Sequence, residues 1–193
     1  KIGAQMQEED DNAVIKERVT AYRTRSLETM EKYRGVMGRD AYDSREKVGK
    51  ELEGYAKELG EGLTGRQAVG FNSAMSDYIL RDKATISSHA FEQRTGWLNG
   101  QDEALVALAQ EDYTAKPDPI YEKQIRSAAA NLAARNGWAP EKQQLYADEK
   151  ISEANVSVVN QYMDTSPAQA AAFYQANKDK ILPSMRAPLE KQI

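Results

Sequence analysis

Apolar residues recur at intervals of three and four along most of the chain, and no stretch alternates with period two, which predicts helices and no sheet. Ile15, Val19, Tyr22, Met30, Tyr33 and Met37 form one row, with Leu27 beside it. The row predicts a helix from about Gln5 to Arg34, ended by Gly35 and Gly38. Asp40 is placed to cap a second helix, in which Val48, Leu52, Tyr55 and Leu59 make the stripe. The run from Gly60 to Gly65 reads as a loop. A third helix starts near Thr64 and carries Ala68, Phe71, Met75, Tyr78, Ile86, Ala90, Trp97, Ala104, Leu105 and Leu108. Unbroken to Asp112, it measures about 70 Å at 1.5 Å per residue. Gly96 and Gly100 are where it would kink or break, since each costs about 1 kcal/mol relative to alanine.

All six prolines lie at residue 117 or beyond, at 117, 119, 140, 167, 183 and 188. Proline is the strongest helix breaker, so long helices are expected before it and short ones after. Asp118-Pro119, Pro140 and Ser166-Pro167 each read as a helix start, and Asn136-Gly137 as a stop. Ile120, Ile125, Ala128 and Leu132 mark one of these helices. Leu145, Ile151, Ala154, Val158, Tyr162 and Met163 mark the next. The segment after Asp179 is expected to be interrupted by Pro183 and Pro188, then to resume as a short helix with Leu189 and Ile193. The expected fold is all-α: a long-helix antiparallel bundle over 1–116, then a short-helix pack over 117–193 docked on it.

Composition narrows the function classes. The 193 residues carry 29% charged and 40% hydrophobic side chains, with a net charge of −4. Mean hydropathy is −0.73 and the pI about 5.3. Acidic and basic residues interleave, and no basic stripe for a phosphate backbone is visible, so no direct nucleic-acid binding is expected. Cysteine is absent, which excludes disulfides, thiolate catalysis and cysteine zinc sites. The longest near-apolar run, Ala128 to Ala134, is far short of the roughly 20 residues that cross a bilayer. The chain opens at Lys1 without a methionine, and is expected to be a piece of a longer protein.

No distinctive position completes a catalytic or binding motif. Gly60 to Arg66 mimics a phosphate loop, but Arg66 stands where lysine belongs, Gln67 cannot replace the magnesium-binding hydroxyl, and no strand precedes it. His89 is the only histidine. With Glu92 it supplies two ligands on one helix face, too few for zinc, and it reads as a packing or solvent-facing residue. Glu8-Glu9-Asp10-Asp11 lacks the alternating oxygens and glycine of a calcium loop and suits a helix N-terminal turn. Asn155-Val156-Ser157 matches a glycosylation sequon in mid-helix. Tyr22, Tyr33, Tyr42, Tyr55 and Tyr78 read as packing residues whose rings bury while their hydroxyls stay wet. No catalytic, cofactor-binding or metal-binding residue is assigned, and no cofactor is expected.

From helix two onward the sequence resembles a known pattern. Asp40-Ala41-Tyr42-Asp43, Arg45, Val48, Leu52, Tyr55, Leu59, Gly62-Leu63 and Arg66-Gln67 precede a helix with Phe71 and later His89. Gly137-Trp138, Ser152 to Val159, Ser166 to Tyr174, Asn177-Lys178 and Leu189-Glu190 continue it. Over about residues 40–193 this is similar to helical regions of large tailed-bacteriophage virion proteins: internal virion, ejection or tail-associated proteins, some fused to a lytic transglycosylase. The resemblance implies a virion location, other virion proteins as partners, and a non-catalytic structural role connected with DNA ejection or tail function. An enzymatic region of a murein hydrolase and a bacterial helical adaptor are the alternatives. The apolar face from Ile86 to Leu108 outruns helix two, so either the later helices or a second copy must cover it, and self-association through this region is the expectation.

Overall fold

The computed structural model describes all residues 1–193 and contains eight α-helices, one 3-10 turn and no strand. The all-α expectation is correct. In chain order the helices are α1 (Ile2–Arg34), α2 (Gly38–Asp43), α3 (Arg45–Leu59), α4 (Gly65–Ala115), α5 (Pro119–Asn136), α6 (Pro140–Thr165), α7 (Pro167–Asn177) and α8 (Pro183–Gln192). The 3-10 turn spans Lys178–Lys180, between α7 and α8. The longest helices, α1 and α4, do start before the first proline, and α4 stops at Ala115, just ahead of it. No helix is long and apolar enough to cross a membrane.

The chain forms two compact units, Lys1–Trp97 and Leu98–Ile193. This differs from the expected division of 1–116 and 117–193. The boundary falls inside α4, between Gly96 and Gly100, while the helix itself runs on through both glycines. The prolines at 117 and 119 end a helix without ending a unit, because α5 turns back and shares a core with the last turns of α4.

Unit 1 is built from α1, α2, α3 and the first part of α4. Tyr22, Phe71 and Met75 form one core cluster, flanked by Val19, Tyr55 and Leu59. Met30, Tyr33, Ala41, Leu52 and Ile86 form the next. Two helices replace the single one expected between Asp40 and Leu59. The break is at Ser44, whose hydroxyl donates to the Asp40 carbonyl at 2.7 Å. The same bond to the carbonyl four residues back occurs at Thr24, Thr85 and Ser157 inside unbroken helices, and no proline or glycine advertises the stop. Asp40 lies in the first turn of α2 rather than capping it. The turn into α2 needs Gly38, whose φ of +62° is a left-handed value that side chains disfavour.

Unit 2 packs α5 between the end of α4 and α6. Val106, Ala109, Ile125, Ala128, Ala129, Ala147 and Ile151 make its first core cluster. Tyr113, Ala154 and Val158 extend it, and Val159, Ala170, Tyr174, Ile181 and Leu189 bring in α7 and α8. Asp118 caps α5 by accepting from the Ile120 N–H at 2.9 Å, and Ser166 accepts from Gln169 to cap α7, both as their sequence predicted. α5 stops at Gly137, with φ +66°, and the Trp138 N–H donates to the Ala133 carbonyl at 3.0 Å. Pro183 opens α8, but Pro188 sits inside it instead of interrupting it. Leu189 is buried and Ile193 is exposed.

The apolar rows misplace some side chains. Leu105, Leu108, Ile120 and Leu145 are about half exposed, and Met37 is 65% exposed. In α4 the row that begins at Phe71 and Met75 leads by threes and fours to Leu105 and Leu108. Unit 2 instead buries Asp102, Val106, Ala109 and Tyr113.

Candidate functional site

Most of the positions with distinctive chemistry have structural partners. His89 is half-buried; its Nε2 lies 2.8 Å from the Val36 carbonyl, so that nitrogen carries the proton and donates. Its ring meets Tyr33 edge-on with centroids 5.0 Å apart. The histidine therefore ties α4 to the end of α1, and Glu92 is exposed and takes no part in this. Of the Gly60–Arg66 segment, Gly60 to Thr64 connects α3 to α4, and Gly65 and Arg66 begin α4. Arg66 pairs with Glu8 at 2.9 Å, and Gln67 donates to Asp11 at 3.0 Å. The acidic run was expected in the first turn of its helix; α1 starts earlier, at Ile2, and the run lies further along it. Half of the run faces α4, and Asp11 is buried there, held also by Gln7.

The three buried carboxylates each have a partner. Asp82 accepts from the Tyr22 hydroxyl at 3.0 Å. Asp102 lies 2.8 Å from the Arg135 guanidinium, whose other arm donates to Asn99 at 2.9 Å. Asn131 and Asn136 complete this polar patch between α4 and α5. Burial and the neighbouring Asp82 push the Tyr22 hydroxyl well above the usual tyrosine range. Burial also pushes Tyr113 up to about 12, with the charge of Glu122 adding to it, although the bond from its hydroxyl to Asn155 at 2.8 Å acts the other way. Tyr22 and Tyr33 depart from the expected wet hydroxyl: Tyr33 donates to the Ala41 carbonyl inside the core. Asn155 of the sequon is fully buried, donating to Ile151 and accepting from Tyr113, so it presents no glycan acceptor in the folded chain. No group of three or more His, Asp or Glu side chains is placed to hold a metal ion.

Open grooves are shallow and of mixed charge. One of about 310 Å³ between α3 and α4 has Gly49 and Ile86 against Arg45, Lys50 and a Lys83–Glu53 ion pair. Another, of about 200 Å³ in unit 2, is bridged by Arg126–Asp148 at 3.0 Å and Lys180–Glu122 at 2.7 Å. A third, of about 410 Å³, has Leu105 and Leu108 on one wall and Gln124 and Asn131 on the other.

The feature that sequence reasoning missed is a cluster of arginine and aromatic side chains where α2 meets α4. The Arg45 and Arg94 guanidinium carbons lie 3.8 and 5.3 Å from the Tyr42 ring centre. Phe91 meets the same ring edge-on at 5.6 Å, and Arg39 lies 5.7 Å from the Trp97 ring. The signal was present as two series at intervals of three: Arg39, Tyr42, Arg45 and Phe91, Arg94, Trp97. Only the docking of α2 on α4, fixed by the Gly38 N–H donating to Gln93 at 2.9 Å, brings them together.

No protein-family model, curated protein or solved structure matches this chain.

Proposed function

We propose that this chain is a non-catalytic structural segment of a tailed-phage virion protein, serving particle assembly or DNA ejection. The sequence resemblance over residues 40–193 supplies the class. The structural observation that supports a non-catalytic reading is the occupation of the reactive groups: His89 is tied to Val36, and the buried carboxylates Asp11, Asp82 and Asp102 are held by Gln67, Tyr22 and Arg135. A general acid or base needs to reach a substrate proton, and each of these side chains is already committed to packing. Long helices joined by short connections suit a rigid spacer, since a helix fixes a distance with one hydrogen bond per residue.

The partners of such a segment are other virion proteins, and its place is the particle. Cell-wall hydrolysis is the competing reading, and one pair of measurements separates the two. The chain incubated with purified murein should release no soluble fragments, and it should co-sediment with DNA-filled particles produced by the strain that encodes it. Murein solubilised at an enzymatic rate, or the chain remaining wholly outside the particle fraction, overturns the proposal.

A further inference from the structure

Unit 1 carries two exposed surfaces of complementary chemistry. The first is the arginine–aromatic cluster. Neither Arg45 nor Arg94 has a carboxylate partner, whereas Arg39 pairs with Asp43 at 3.3 Å. Among these cations Phe91 and Trp97 leave 55% and 37% of their surface exposed. Arginine interleaved with exposed aromatic residues is the composition that interface centres favour. Cations gathered around one ring repel one another, and an anionic surface laid over them removes that cost.

The second surface is the outer face of the first turns of α1. Ile2 and Met6, 75% and 60% exposed, follow one another by four and share a side of the helix. Glu9 and Asp10 stand one turn further on, exposed and without a cation. Their neighbours Glu8 and Asp11 turn toward α4, where Glu8 pairs with Arg66 at the surface and the buried Asp11 accepts from Gln67. The helix thus satisfies one pair of acids inside the unit and presents the other pair, beside apolar side chains, to the outside.

These surfaces cannot meet within one copy. Glu8 holds the start of α1 beside Arg66, and Gly38 holds the cluster beside Gln93. The helix between Arg66 and Gln93 is continuous and sets them about 40 Å apart at 1.5 Å per residue. We propose that the Ile2–Asp10 face of α1 in one copy docks on the Arg45–Phe91–Arg94 cluster of a second copy of this chain. Where each copy gives its α1 face to one neighbour and its cluster to another, association is head to tail and continues into rings or filaments, whereas a reciprocal two-fold pair would close at two copies. The inference rests on unit 1 alone and stands or falls separately from the virion reading.

Sedimentation velocity on the whole chain tests it. The wild-type chain should grow in mass with concentration beyond a dimer, and salt should weaken that growth. Arg94→Ala removes the accepting surface without creating an anionic one, and Glu9→Lys with Asp10→Lys removes the donating one. Each variant alone should associate at least about tenfold more weakly. Mixed in equal amounts they should form a one-to-one dimer and nothing larger, since one intact donor meets one intact acceptor. Phe91→Gln is a second acceptor variant, and circular dichroism melts identical to wild type confirm folding. A wild-type chain that stays monomeric at millimolar concentration overturns the proposal. So does a variant that associates like wild type, or a mixture that yields no dimer.

Discussion

Val106→Ala should destabilise unit 2 far more than Leu105→Ala, although leucine is larger and lies one residue away. Val106 is 2% exposed, within the cluster shared with Ala109, Ile125 and Ile151. The substitution removes two methylene equivalents at about 0.8 kcal/mol each, and the unfilled space adds to this, for a loss of about 2–3 kcal/mol. Leu105 is 57% exposed, so less than half of its burial energy is at stake, under about 1 kcal/mol. Alanine's better helix propensity offsets a few tenths of that. The assay is urea unfolding followed by fluorescence of Trp138, which packs on Tyr146 in unit 2 with ring centroids 5.4 Å apart, in a Trp97→Phe background that silences the other tryptophan. Leu108→Glu should likewise leave unit 2 folded, because Leu108 is 53% exposed. A Leu105→Ala cost equal to or above that of Val106→Ala would refute the assigned helix face.

Tyr22→Phe should cost unit 1 about 1.5–3 kcal/mol, because it strands the buried Asp82 carboxylate; calorimetry showing an unchanged melt would contradict this. Stability should fall as pH rises above about 10, where tyrosines of the unfolded chain ionise while Tyr113 holds its proton to about 12. The contribution of Tyr113 is intact below pH 10 and is lost through that window, up to about 3 kcal/mol, and Tyr113→Phe should flatten the decline in an alkaline unfolding series. Gly137→Ala should cost about 1–2 kcal/mol from left-handed backbone strain, and Asp118→Ala about 1 kcal/mol from the lost cap; thermal melts of unit 2 check both.

The helices were legible where side chains announce their own ends. Asp118-Pro119, Ser166-Pro167 and Gly137 act through local geometry, and each does in the fold what its chemistry requires. The break at Ser44 was not legible, because neither proline nor glycine stands there and the chain is helical on both sides of it. Pro188 misled in the opposite direction: Leu189 behind it is buried against α6 and α7, and that packing carries the helix past the missing N–H. The unit boundary was hidden because α4 belongs to both units, and a helix keeps its period when its packing partners change. Register in α4 failed for the same reason: the row from Phe71 extrapolates correctly as far as Ile86 and Ala90, and then a different set of neighbours selects Val106 and Ala109. Of the distinctive chemistry, the packing role of His89 followed from its having too few companions to hold a metal. Its partner Val36 did not, since that contact exists only once α4 lies along the end of α1. The arginine–aromatic cluster joins α2 and the start of α3 to residues of α4 that lie 46 or more positions further along the sequence, and no local pattern connects them.

Quantitative mass spectrometry of purified particles tests the central claim most directly. Particles from the encoding strain, banded as DNA-filled and washed in high salt, should contain peptides from residues 1–193 at a fixed number of copies per particle, as a built-in structural component requires. Particles of full infectivity that lack these peptides, or hold fewer than one copy each, would contradict it.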